Sequence, residues 1–173
     1  MPMRDQIAAL IPHQGEMCLW DEVVGWDATH VRLRAQRHRD VHHPLRSGGQ
    51  LRALHLCEYG AQAMAVHGGL RARAAGATAP PGLLVALRGV QLHVARIDDL
   101  PGALDVEAEV LVESDSGCQY AFRITHQGTL LAEGRAAVLL APSPSGVSRR
   151  VCEPLARASV NAQGRMHLGR GVG

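Results

Sequence analysis

The run Leu51 to His67 constrains this chain most: it holds no proline and only one glycine, Gly60, and Gly68-Gly69 closes it. Leu51, Leu54, Leu56, Cys57, Ala61, Ala63, Met64, Ala65 and Val66 make it apolar on every side of a helix. Such a helix belongs inside a protein, wrapped by other elements. It nevertheless carries His55, Glu58 and Gln62, spaced i, i+3, i+7 and so projecting from one face. A carboxylate on an inner helix costs several kcal/mol unless it is paired or put to use. One reading gives Glu58 an arginine partner. The other makes it part of a site, and the His-His-Pro turn just upstream (Val41 to Pro44) favours that one.

The flanking segments read as strands. Cys18-Leu19-Trp20, Val23-Val24 and Trp26 form one apolar stretch, and Gly25 to His30 turns into Val31, Leu33 and Ala35, which alternate with Arg32, Arg34 and Gln36. Met3 to Leu10 suits a short helix ended by Pro12, and Arg37 to Gly49 suits a loop. Arg71 to Gly82 reads as an Ala/Gly/Pro connector. The strands Leu83 to Ile97 (Gly89 as a bulge), Leu104 to Glu113, Gln119 to Gln127 and Thr129 to Ala141 follow, with Pro101-Gly102 in a turn. The expected fold class is α+β: one long central helix wrapped by a curved antiparallel sheet of five to six strands, a single domain over 1–141. The Ser/Gly/Pro/Arg-rich tail, 142–173, is expected to be irregular.

Composition excludes several classes. A net charge of +2 gives no basic stripe for nucleic acid, and no apolar run reaches membrane-spanning length. No signal pattern opens the chain, and Cys18, Cys57, Cys118 and Cys152 form no CxxC pair, so reduced thiols in the cytoplasm are expected. His38, His42, His43 and His55 do not supply the three or four converging ligands that zinc needs, and no metal or cofactor is expected.

Two motifs carry a family resemblance. Pro12-His13-Gln14-Gly15-Glu16-Met17-Cys18-Leu19-Trp20-Asp21-Glu22-Val23 resembles the opening P-H-x-x-x-[F/M]-x-L-x-D-x-V of hotdog-fold 3-hydroxyacyl-[acyl-carrier-protein] dehydratases of the FabZ/FabA type. Glu58-Tyr59-Gly60-Ala61-Gln62 resembles their central-helix E-x-x-A-Q, and the strand–Pro101-Gly102–strand region also matches. The Glu-Tyr variant is most similar to the dehydratase-like proteins of aryl polyene biosynthesis clusters. The resemblance implies a hotdog fold and elimination of water from a 3-hydroxyacyl thioester. That reaction needs a base for the C2 proton, an acid for the C3 hydroxyl and a donor to the thioester carbonyl.

By position, the resemblance makes Glu58 the acid and His43 the base, with His42 and His13 as alternative bases. It makes Ala53 the backbone donor and Gln62 the helix-face neighbour, and places Arg46 and Arg52 near a phosphopantetheine phosphate. His43 lies fifteen residues before Glu58, one more than in the family loop, whose Phe and most of whose prolines and glycines are replaced by HHPLRSGGQLRA. His13 has two readings, an anchor of the first turn or an imidazole standing in for His43. Arg32, Arg34, Arg37 and Arg39 read as a solvated strand face or as a rim for an acidic carrier. The implied substrate is an acyl carrier protein or CoA thioester, and the implied assembly is a homodimer or a heterodimer with a related hotdog subunit, paired edge to edge. A non-catalytic or weakly active partner subunit and an acyl thioesterase are the two other functions this sequence leaves open.

Overall fold

The computed structural model describes residues 1–141; the tail expected to be irregular lies outside them. The elements run α1 (Arg4–Ala8), β1 (Glu22–Trp26), β2 (His30–Ala35), α2 (Leu56–Ala74), β3 (Gly82–Leu92), β4 (Leu104–Ser114), β5 (Gly117–His126) and β6 (Thr129–Leu140). The strands form one antiparallel sheet in the order β1-β2-β4-β5-β6-β3. One long helix lies against this six-stranded sheet, the expected hotdog architecture. No helix among the described residues is long and apolar enough to cross a membrane.

Alternation builds the core. Val31, Leu33 and Ala35 of β2, Val106 and Ala108 of β4, Tyr120, Phe122 and Ile124 of β5, and Ala132 and Ala136 of β6 are all buried. They meet Leu56, Tyr59, Ala63, Val66 and Leu70 of α2 in one apolar cluster. Helix and sheet approach closely at Gly60, where a Cβ would sit 2.8 Å from the Phe122 ring, so only glycine fits. On the outer face the charges pair across strands, Arg32 opposite Glu107 and Glu107 opposite Arg123, while Arg34 Nε bonds Asp105 Oδ1 at 2.8 Å.

The central helix differs from its expected span at both ends. It begins at Leu56 because Leu51 and Ala53 are drawn into pairing with the segment after β3: Ile97 N–H donates to Leu51 O (2.9 Å) and Ala53 N–H to Ala95 O (3.0 Å). It continues through Gly68-Gly69 to Ala74, where the flexibility of glycine is outweighed by packing: a Cβ on Gly69 would lie 2.7 Å from Leu10 O. The first apolar stretch becomes strand only from Glu22; Cys18, Leu19 and Trp20 are buried as a loop over α2. Gly89 takes a positive φ of 58° inside the register shift between Arg88 and Gln91, as a bulge there requires.

The sheet does not enclose α2 completely. Leu54, just before the helix, and Glu58, Ala61, Ala65 and Gly68 on it stay partly open, an i, i+4, i+7 stripe. The carboxylate read as buried is therefore half-buried, its side chain 33% exposed. The edge strand β3 is apolar and largely uncovered: Leu83 is 68% exposed and Val85 48%. Leu84, Leu87 and Leu92 pair with Val138, Ala136 and Ala132, so they look toward the α2 side of the sheet, and each is 39% exposed.

Candidate active site

The approach to α2 is fixed by a buried acid. The Asp98 carboxylate accepts Leu51 N–H (2.9 Å), Arg46 Nη2 (3.3 Å) and the guanidinium of Arg96. The Arg96 hydrogen bonds hold its pKa at about 2, against the effect of burial. Arg46 is consumed here. Its guanidinium also donates to Gly49 O (2.8 Å) and Asp40 O (3.1 Å), which closes the loop instead of offering a free phosphate ligand. The Ala53 N–H, expected to face a thioester carbonyl, is already donated to Ala95 O. Arg52 is exposed, and its backbone bridges to Arg96.

The first turn of α2 is covered by residues 11–20. Gln62, only 1% exposed, ties that loop down: its Oε1 accepts Leu19 N–H (3.0 Å) and its Nε2 donates to Met17 O (2.7 Å) and Glu58 Oε1 (3.3 Å). Trp20 Nε1–H donates to Tyr59 O at 3.0 Å, with the two rings edge to face. Gln62 is thus a structural staple; both ends of its amide are engaged within the chain. Held this way, the loop brings His13 Nε2 to 3.2 Å from Glu58 Oε1. Both side chains are about one-third exposed, and His13 Nδ1 is buried with no partner. An imidazole and a carboxyl in direct contact at a half-open surface can exchange a proton with each other and with a bound molecule.

His43, the expected base, is committed elsewhere in its own chain. Leu45 N–H donates to its Nδ1 (3.2 Å), so in the neutral ring the proton is on Nε2, which donates to Tyr59 Oη at 2.9 Å. The ring is 6% exposed and stacks on Tyr59. Burial, then the nearby Arg37 charge, pushes its pKa down to about 4, and burial raises that of the Tyr59 phenol. His43 is a core histidine here, and its neighbour His42 is exposed. His38 Nε2–H donates to Leu100 O (2.9 Å) inside the core. Among the described residues no three His, Cys, Asp or Glu side chains converge as a metal site does.

The P-H motif was the signal for His13. It left His13 open between a turn anchor and a stand-in for His43, and the Gln62 staple is what folds the loop back over α2. Downstream of Glu58, the open helix stripe and the leucines of β3 supply apolar surface on the same side of the sheet. A groove of about 400 Å³ lies elsewhere, between Trp26, Leu70 and the chain start, and does not touch Glu58.

The fold has known counterparts. The Xenorhabdus doucetiae dehydratase heterocomplex ApeI:P matches with a TM-score of 0.72 and 24% identity, over 80% of this chain and 92% of that one. A hypothetical thioesterase protein with coenzyme A from Streptococcus pneumoniae TIGR4 matches with a TM-score of 0.52 and 15% identity, over 70% and 86%. S. sahachiroi AziG matches with a TM-score of 0.53 and 13% identity, over 70% and 91%. At these identities the likeness is one of fold. No curated protein matches the chain in sequence. The ApeP-like model, described as ApeP dehydratase, covers residues 5–148, and by that match the chain belongs to the ApeP-like family of dehydratases.

Proposed function

We propose that this protein removes water from a 3-hydroxyacyl thioester held on an acyl carrier protein or on CoA, giving the trans-2-enoyl thioester. The observation that carries the reading is the contact of His13 Nε2 with Glu58 Oε1 at 3.2 Å. His13 accepts the C2 proton, and Glu58 gives its proton to the leaving C3 hydroxyl. The cycle then leaves an imidazolium beside a carboxylate. Because the two groups touch, the proton passes back from Nε2 to Oε1 and restores the starting pair without solvent. Family membership supports the reaction class. The acyl chain would lie along Ala61, Ala65 and Gly68, covered by Leu84 and Leu87.

The open apolar edge of β3 supports pairing with a second hotdog subunit, which would close this channel. A related but different subunit is the partner we favour, since the chain's fold matches a dehydratase heterocomplex. A second reading, a non-catalytic partner that shapes an active subunit's tunnel, draws on His43: the residue at the family's base position is sealed against Tyr59.

Incubation with a 3-hydroxyacyl carrier thioester separates the readings. Enoyl product that disappears in both Glu58→Gln and His13→Asn supports the dehydratase. Product formed only with a related hotdog subunit, and unaffected by Glu58→Gln, supports the partner role. Free acid points to a thioesterase.

A further inference from the structure

The loop that carries His13 is gripped from two sides. Gln62 holds its inner side to α2. The outer side is held by one arginine that spreads over three groups: Arg37 Nη1 bonds Glu16 Oε2 (2.7 Å), Nη2 bonds Cys18 O (3.1 Å) and Nε bonds Asp21 Oδ1 (3.2 Å). Asp21 is itself fixed to the strand end, its Oδ2 accepting Gln36 N–H at 2.7 Å. The rigid fork of a guanidinium can serve three acceptors in this geometry at once, and a lysine ammonium on its flexible stem cannot.

We infer that Arg37 is a positioning residue, the outer half of a clamp whose three bonds across residues 16–21 set the distance between His13 and Glu58. This departs from a reading of Arg37 as part of a solvated face or carrier rim: its polar atoms are turned onto the chain itself. Without the fork, residues 13–17 keep the Gln62 tie, the bond from Arg4 Nη2 to Gly15 O (2.7 Å) and those from Gln14 Nε2 to Ala8 O (3.1 Å) and Ile11 O (3.2 Å), none of which reaches the end of β2. A shift of about an ångström in a catalytic group costs on the order of 100-fold in turnover. The inference rests on the His13–Glu58 reading above for its functional consequence, but its geometric part stands apart from turnover.

The test uses the full chain labelled with ¹⁵N-histidine, in which ring shifts report which nitrogen of His13 carries the proton. Wild type is expected to give one tautomer, with Nε2 unprotonated and facing the Glu58 carboxyl, and Glu58→Ala a mixed one. Arg37→Met should give the His13 signal of Glu58→Ala, Arg37→Lys should fail to restore the wild-type signal, and Arg39→Met should leave that signal unchanged. A wild-type His13 signal in Arg37→Met or Arg37→Lys overturns the inference. If Arg37→Met does not fold, Glu16→Ala removes one arm at an exposed residue: a His13 signal moved toward that of Glu58→Ala supports the clamp, and an unmoved one overturns it. In the dehydration assay Arg37→Met should lower kcat with little change in KM. Absence of enoyl product from wild type, both alone and with a related hotdog subunit, would remove the proposed function and leave the spectroscopic result to decide the clamp.

Discussion

Replacing His43 with glutamine separates a core histidine from a catalytic one, because the two roles give opposite pH behaviour. In the folded chain burial holds the ring's pKa at about 4, whereas an unfolded histidine titrates near 6.5. The unfolded chain therefore binds an extra proton between these values, so the contribution of the neutral ring is complete above pH 6.5 and is lost as pH falls toward 4. At pH 4.5 the loss is about 2.6 kcal/mol. His43→Gln cannot titrate. At pH 7.5 it costs about 1–2 kcal/mol, for the Tyr59 stacking and the Leu45 N–H bond. The two stability curves should therefore cross at roughly pH 5 to 6, with the variant the more stable at pH 4.5. His38 and His67, also lowered by burial, slope both curves equally. Urea unfolding at fixed protein concentration across this range measures the gap. A gap that stays constant from pH 7.5 to 4.5 refutes the reasoning, as does a loss of enoyl formation in His43→Gln with stability unchanged.

Gly60→Ala forces a methyl group into the Phe122 ring, 2.8 Å away, and should cost about 1–3 kcal/mol; pairing it with Phe122→Leu should recover part of that loss in a denaturant series, and strict additivity would count against the contact. Asp98→Asn removes the acid that orders the approach to α2, so the variant should lose the stability that wild type keeps above about pH 4 and sheds toward pH 2; acid titrations followed by circular dichroism should converge at the low end. Val85→Lys puts a charge on the open β3 edge and should block strand pairing with a second subunit; light scattering that shows an unchanged assembly would argue against this edge as the interface.

The architecture was legible because its signals are local and periodic. Alternation in Val31-Leu33-Ala35 and in Val106-Ala108 marks the inner face of the sheet, and an all-apolar helix has nowhere to go but beneath it. The helix start was not legible. Residues 51–55 carry helix-compatible side chains, yet Asp98 and Ala95, more than forty residues away, supply better backbone partners. The site was legible in kind and misassigned in detail. Glu58 could be singled out as the one acid on an apolar helix. His43 drew the base assignment from its place before Pro44, and nothing local in the sequence says that Tyr59, the residue after Glu58, takes its Nε2. The arginines read as a face or rim because the strand period was visible, while the fold-back of residues 13–21 onto Arg37 was not.

Two imidazoles compete for the role of base in the proposed reaction, and the geometry favours one of them. Turning His43 out to a substrate breaks its bonds to Tyr59 and Leu45 and strands a buried phenol oxygen, a cost of about 1–3 kcal/mol before any chemistry. Even once exposed to substrate in its present surroundings, a ring whose pKa is about 4 accepts a proton at neutral pH roughly 2.5 units less readily than an ordinary imidazole, and general-base catalysis weakens with that basicity. His13 avoids the first of these costs: it is already one-third exposed, in contact with the acid it must exchange with, and carried on a loop fixed at both faces. On the proposed reading, a dehydratase built on this chain keeps its helix carboxylate and draws its imidazole from before the first strand. Its base and acid then belong to one protomer, and the β3 edge is free to pair with a subunit that contributes no base at all. Mixing Glu58→Gln chain with a wild-type related subunit tests that consequence: restored turnover would mean that the second subunit carries a complete site of its own, and no turnover would leave the pair where the geometry puts it.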